Sequence, residues 1–474
     1  MSELHDLTAT EQVAALEARD VSSVELTRHY LDRIDRHDER LRCFITVVGD
    51  EALDAARLSD EARARGEASG VLHGLPIALK DLYPAAGMRT TFGSAALADL
   101  VTPADGPVVA ALRRTGAVFV GKTNTPEFGP TCYTDNAVRG ETQTPYGEGL
   151  SASGSSGGAA AAVAAGLIGI AHGSDGLGSL RTPAANCGLI GFKVTRGRSA
   201  GAGTGWLALA AEGALSRTVA DNALFLDAMG AATDSDLWRT GPASADAFRQ
   251  AAAREPGRLR VGVLEAPSAD IDVATDCIAA VHRTADALRD AGHAIEAIEL
   301  SDLPDWAEVR GAVKVVLATN FGVLLGTAIT PEQHHLLMPY TRWLAESATH
   351  SAIEHATAES TLYAAAVRYR ALLAQYDVVL SPTTTAPPQP TSALRCDDAQ
   401  ASLDAMGRWS AFTPMANISG TPAVSLPVHA TDDGLPIGVQ LSASAGSDEL
   451  LMSLSAQLEQ AFGWQDRHPE IWRA

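Results

Sequence analysis

Gly74-Leu75-Pro76-Ile77-Ala78-Leu79 is an apolar run entered through glycine and proline, and it reads as a short buried strand reached through a turn. Ala117-Val118-Phe119-Val120, closed by Gly121, reads the same way, and Pro107 to Arg114 between them reads as a helix. Strands alternating with helices predict an α/β fold, a sheet covered by helices on both faces. Upstream, residues 1–70 read as helical. Thr8-x-x-Glu11 and Ser22-x-x-Glu25 are capping-box signatures that open amphipathic runs. Downstream, Arg260 to Leu264 and Asp377 to Pro382 read as strands, residues 275–292 and 305–375 as mainly helical, and residues 449–462 as a last amphipathic helix. No repeat and no domain-breaking linker interrupts this, and the proline-rich residues 386–390 are too short to be one. The expectation is a single domain over 1–474: a helical segment over 1–70, a core over 71–230, and a C-terminal part over 231–474 whose helical stretch 305–375 covers a pocket.

The 474 residues carry a formal charge of −21 from 36 basic and 57 acidic side chains. That balance argues against nucleic-acid and polybasic membrane-surface binding, both of which need cationic density. The charge is uneven. Residues 71–230 hold 11 basic and 11 acidic groups, so the excess lies in the flanks and acts as a solubilising shell. A 46% hydrophobic content fits a large buried core. Five cysteines (43, 132, 187, 277 and 396) show no metal or disulfide spacing, and the odd count suits a reducing cytoplasm. Met1-Ser2-Glu3 opens no signal-peptide pattern. In the charge-poor stretch from Gly149 to Ser174 the apolar part is shorter than the ~20 residues a membrane helix needs, so it reads as a buried helix.

Only four lysines occur, Lys80, Lys122, Lys193 and Lys314, against 32 arginines. Arginine cannot lose its proton but a buried lysine can, so each lysine is a candidate for work that arginine cannot do. Lys80 ends the first strand, where desolvation lowers its pKa and fits it to act as a base. Ser155 stands in the glycine-rich turn Ser153-Gly154-Ser155-Ser156-Gly157-Gly158, ahead of the helix-forming run Ala159 to Ala165. Ser179 follows Asp175-Gly176-Leu177-Gly178, a turn able to aim several backbone N–H groups at one oxyanion. Lys80 as proton acceptor, Ser155 as relay and Ser179 as nucleophile make a complete acyl-transfer set without histidine. Taken alone, Gly-Ser-Ser-Gly-Gly also matches a flexible linker, and it lacks the Gly-Lys-Ser/Thr of a phosphate loop. Asp175 and Arg181 read as a structural ion pair. Cys132 and Cys187 lack a neighbouring histidine, and His334, His335, His350 and His355 lack metal-ligand spacing, so no metal and no cofactor is expected.

Together these segments resemble the amidase signature family. The likeness runs through Gly74 to Asp81, Gly121 to Gly129, Gly154 to Gly158, Gly178 to Gly188, Arg217 to Asp221, Asn417 to Ala423 and Gly434 to Leu441, nearly the whole chain. The resemblance implies a single α/β domain around a large mixed sheet and a Ser-cisSer-Lys triad of Ser179, Ser155 and Lys80. It also implies an oxyanion hole from the N–H groups of Gly176, Leu177, Gly178 and Ser179. The acyl pocket would be lined by residues 129–133, with Gly129, Thr131 and Cys132 touching substrate, and Ser156, Asp175 and Arg181 would support the site. Departures from the family pattern are Leu177 before Gly178-Ser179, Ser153 before Gly154, Thr144-Pro145-Tyr146, and Lys193-Val194-Thr195.

The activity implied is hydrolysis of a C(=O)–N bond in a small-molecule amide, with carbamates, urethanes and esters presenting a comparable carbonyl. Two alternatives stand beside it, a glutamine-dependent amidotransferase subunit and a non-catalytic scaffold of the same fold. A homodimer is compatible with either enzymatic reading. The large apolar residues Val315, Val316, Leu317, Phe321, Leu324, Leu325, Leu336, Leu337, Met338, Tyr340 and Trp343 are either core or pocket wall. If several face a cavity, they favour a bulky apolar substrate over glutamine.

Overall fold

The computed structural model describes residues 3–200, 209–230, 237–238, 240 and 244–474. Its frame is one eleven-stranded sheet. The strands are β1 (Phe44–Val47), β2 (Pro76–Lys80), β3 (Val118–Thr123), β4 (Ala171–Asp175), β5 (Ile190–Lys193), β6 (Ala211–Ser216), β7 (Arg260–Val263), β8 (Ala294–Ala297), β9 (Val378–Pro382), β10 (Ala423–Ala430) and β11 (Pro436–Ser442). Their spatial order is β1-β3-β2-β4-β6-β5-β10-β11-β9-β7-β8. β2 is parallel to β3 and β4, and β9, β7 and β8 are parallel to one another. The strands between, and β1 at the edge, pair antiparallel, so the sheet is mixed. Every residue of β2, β3, β4, β5 and β6 is buried, as expected where helices cover both faces.

The expected strands at 74–79, 117–120, 260–264 and 377–382 form within three residues of those limits, and the helix Pro107–Arg114 forms as read. Both capping boxes close, with Thr8 and Ser22 each accepting from the backbone N–H three residues on. The helical reading of 1–70 is corrected at Phe44-Ile45-Thr46-Val47. This β-branched segment becomes edge strand β1, because β3 offers it an antiparallel partner that local pattern does not reveal.

The stretch 149–174 holds a buried helix, Gly157–Ala164, whose eight residues are all glycine, alanine or valine. Small side chains let it sit against the strand ends. A Cβ on Gly158 would lie 2.4 Å from Asn124 N and 2.5 Å from Cys43 O. This helix anchors a core shared by β2, β3, β4 and the N-terminal helices. A second core fills the far half of the sheet. Two further clusters lie where Trp306–Ala328, Ala352–Leu373 and Ala399–Trp409 roof the strand ends. Among the described residues one helical run, Leu300–Ala328, is long and apolar enough to cross a membrane by length and composition alone. Here Val309, Val316, Leu317, Phe321 and Leu325 on that run pack into the roof.

Candidate active site

β2 carries Lys80 to the sheet end with no solvent exposure. Its Nζ donates to Ser155 Oγ at 2.8 Å, Ser156 Oγ at 2.9 Å and Ser174 Oγ at 3.2 Å. Ser156 Oγ passes a further bond to Ser174 O at 3.2 Å, so it holds the lysine in line. Burial pulls the Lys80 ammonium down to about 7, against the opposing pull of the Glu212 and Asp175 carboxylates. An amine so placed is half free base at neutral pH and close enough to take a proton from Ser155.

Ser155 stands just before the helix Gly157–Ala164, and the peptide bond from Gly154 to Ser155 is cis. Its hydroxyl reaches the loop above. A Cβ on Gly129 would lie 3.5 Å from Ser155 Oγ. Ser179 lies on the loop leaving β4 and, with Gly154 and Gly178, lines one cavity. Its hydroxyl bonds to no described side chain and remains available to a ligand. Thr182 ties the two serine loops together: its hydroxyl accepts from Ser153 Oγ at 3.0 Å and faces the carbonyls of Gly154 and Gly178 at 3.2 and 3.1 Å.

The Ser179 loop is held by a buried ion-pair hub. Arg181 grips Asp175 with two parallel N–H bonds of 2.9 Å. It also donates to Thr413 O, Gln440 Oε1 and Asn417 Oδ1 at 2.6 to 2.8 Å. Asn417 Nδ2 returns bonds to Asp175 O and Oδ1. Burial alone would raise the Asp175 pKa, but the Arg181 guanidinium and the Asn417 amide hold the carboxyl well below the usual carboxylate range. Asp175 Oδ1 also accepts the N–H of Gly178 at 2.7 Å.

That last bond corrects one expectation. Gly178 was expected among the oxyanion donors, but its N–H is spent on Asp175. The N–H groups of Gly176, Leu177 and Ser179 have no acceptor among the described residues. Gly178 is required for a different reason. Its φ is +132°, and a Cβ there would lie 2.3 Å from Thr413 Oγ1.

Gly129, Thr131 and Cys132 line this cavity, and Leu177 adds an apolar wall. The expectation for 305–375 is narrowed. Of the large apolar residues named there, only Leu317 reaches this cavity, joined by Trp306 and Val313 from the same helix, while Phe321 and Leu325 are core. Met338 and Tyr340 line a neighbouring cavity of about 420 Å³ behind Pro130 and Thr131. Burial pushes the thiols of Cys132 and Cys187 up to about 11 and about 12, which makes both poor nucleophiles near neutrality.

Several contributors were not legible in the sequence. Ser174 is the third Lys80 partner. Glu212, opposite Ser174 in the β4–β6 register, accepts from Tyr83 Oη at 2.9 Å and pairs with His172 Nε2 at 3.1 Å. Asn417 and Gln440 fall in segments whose family likeness is visible, but nothing local links them to Asp175. Away from the site, Glu3, His5 and His29 bring ligand-type atoms together. Both His5 nitrogens are already engaged there, one with His29 and one with the Trp472 carbonyl.

Comparison with known proteins shows the family and the fold. The family model described as Amidase matches residues 25–452. The chain belongs to the amidase signature family, and it is an enzyme of the amidase class. The Mycobacterium tuberculosis protein AmiA2 is 34% identical over 98% of this chain and 95% of its own length. The indoleacetamide hydrolase of Bradyrhizobium diazoefficiens is 33% identical over 96% of this chain and 86% of its own. The solved structure of a 6-aminohexanoate cyclic dimer hydrolase complexed with substrate superposes with a TM-score of 0.89 at 29% identity, covering 99% of this chain and 100% of that one.

Proposed function

We propose that this amidase hydrolyses small-molecule amides through Ser179 as nucleophile, Ser155 as proton relay and Lys80 as general base. Lys80 takes the Ser155 proton as Ser155 takes that of Ser179. The Ser179 oxygen then bonds to the scissile carbonyl carbon, and the tetrahedral oxyanion is met by the N–H groups of Gly176, Leu177 and Ser179. Collapse expels the amine, which leaves with the proton returned through Ser155. Water resolves the acyl-enzyme by the same route in reverse, and a carbamate or ester carbonyl fits the same sequence of steps. The observation that carries the reading is the 2.8 Å contact from Lys80 Nζ to Ser155 Oγ in a fully buried setting.

The walls of the cavity support a slim apolar acyl group. Leu177, Val313, Leu317, Leu403 and Met406 line it, and no carboxylate does so among the described residues, so nothing there would hold the ammonium of glutamine. The amidotransferase reading loses ground on that point. Unpaired cysteines throughout the described chain favour a cytoplasmic setting.

The test is active-site labelling together with a substrate panel. A fluorophosphonate probe should modify Ser179, and Ser179→Ala should lose both label and turnover. Mass spectrometry of protein quenched during turnover of an anilide should find the acyl group on the same residue. Full activity in Ser179→Ala, or label on another serine, would overturn the assignment. A wide preference for glutamine over aryl and alkyl amides would overturn the substrate class.

A further inference from the structure

The cavity beside Ser179 has polar side chains that the protein already satisfies and others that it does not. Thr131 Oγ1 donates to Tyr133 O at 2.7 Å, and Ser410 Oγ donates to Met406 O at 2.8 Å. Thr182 is occupied between the serine loops. What remains uncommitted is the Ser179 hydroxyl at one place, and Arg310 with Trp306 at another.

Arg310 is the sole cation lining the cavity among the described residues, and it makes no hydrogen bond to any of them. Arg310 pairs with Asp404 at 3.3 Å, whose side chain is 45% exposed against 26% for Arg310, and the exposed Asp270 carboxylate also feels its charge. Such a half-solvated pair holds the guanidinium weakly and leaves most of its five donors free. Trp306, one turn earlier on the same helix, lines the same cavity and is 9% exposed. Its buried indole Nε1–H has no acceptor among the described residues. A buried donor without an acceptor is costly, and a bound ligand can remove that cost. The opposite helix makes room for the arginine: a Cβ on Gly407 would lie 2.8 Å from Arg310 Cδ. Glycine inside the helix Ala399–Trp409 is unfavourable for the helix itself, so the space it leaves matters. Leu177, Val313, Leu317, Leu403 and Met406 give the same cavity apolar walls.

We propose that Arg310 and the Trp306 indole form an anion subsite in the cavity that Ser179 also lines, so that preferred substrates carry a carboxylate joined to the scissile amide by an apolar spacer. Guanidinium and carboxylate match in shape and charge, and the indole N–H supplies a third donor to the same oxygens. This inference rests on the reading that Ser179 attacks substrate in this cavity.

The experiment compares anilides of malonic, succinic, glutaric and adipic acids, each with one free carboxylate, against neutral counterparts ending in a carboxamide. At the best spacer length the wild-type enzyme should prefer the carboxylate by about tenfold or more in kcat/KM, mostly through KM. Arg310→Gln should erase that preference, and Asp404→Asn, which removes the carboxylate paired with the guanidinium, should increase it. Neutral substrates as good as charged ones at every length, or a preference that survives Arg310→Gln, would overturn the subsite. Calorimetry of the same anilides with Ser179→Ala asks the question without turnover. If that variant binds carboxylates selectively through Arg310 while the wild type turns over no anilide and Ser179 takes no label, the subsite stands and the nucleophile assignment falls. Selective turnover failing with Ser179 labelled gives the converse.

Discussion

Lys80 offers a prediction that can be read by two unrelated assays. An ordinary lysine, at 10.5, is free base in about one molecule in three thousand at pH 7, whereas Lys80 at about 7 is free base in about half. The acidic limb of kcat/KM should therefore bend near pH 7 and fall tenfold for each further pH unit, so that activity at pH 5 is about a hundredth of the plateau. The same pKa has to appear in stability. The unfolded chain binds a proton on this lysine between pH 10.5 and about 7 that the folded chain does not. Folded stability is thus undiminished by Lys80 above 10.5, declines as pH falls through that window, and levels off below it at a cost on the order of 5 kcal/mol.

Lys80→Met cannot titrate. Its stability relative to wild type should rise steadily as pH falls from about 10 to about 7 and stay level below. The lost contacts to Ser155, Ser156 and Ser174 subtract an amount that does not depend on pH. Lys122 and Lys193, which are also buried and lowered, titrate in both proteins and cancel in the difference. Urea melts of both proteins across that range, beside a pH–rate profile of the wild type, measure the two consequences. An acidic limb bending above about pH 9, or a stability difference that does not vary with pH, would refute the reasoning.

Two further predictions concern the frame around the site. Arg181→Lys removes the fork that reaches both oxygens of Asp175 together with Thr413, Asn417 and Gln440, and leaves buried acceptors unpaired; it should cost about 3–5 kcal/mol in urea unfolding, and a loss under about 1 kcal/mol would contradict the hub. Gly158→Ala puts a carbon where backbone atoms of Asn124 and Cys43 already stand; calorimetry should show a loss of about 1–3 kcal/mol, and an unchanged melting temperature would mean that the helix can move aside.

What was legible in the sequence followed from local chemistry. Gly74 to Leu79 is apolar, short and bounded by turn residues, so β2 could be read from it, and Lys80 at its end inherits burial from the strand. The glycine-rich turns beside Ser155 and Ser179 mark both serines in the sequence, and the structure brings Ser155 to Lys80 and Ser179 to the cavity. β1 and β8 were not, because short edge strands depend on a partner more than on their own residues. The commitment of the Gly178 N–H to Asp175 was hidden for a similar reason: a glycine's donor looks free until the carboxylate three residues back is seen to fold over it. An isolated arginine such as Arg310 on a helix reads in the sequence as a solvated cation. Only the fold shows that its helix roofs the cavity.

The Asp175–Arg181 hub also has a meaning in time. A ribosome that has reached residue 400 has already made Lys80, Ser155 and Ser179, but neither Asn417 nor Gln440, the groups that complete the hydrogen bonding around Arg181. Until those arrive, the loop bearing Ser179 hangs on a pair of charges with half their bonds missing. A nascent chain would thus carry Lys80, Ser155 and Ser179 long before the loop bearing Ser179 is fully held. The distant closure makes the Ser179 loop one of the last parts of the fold to be fully held.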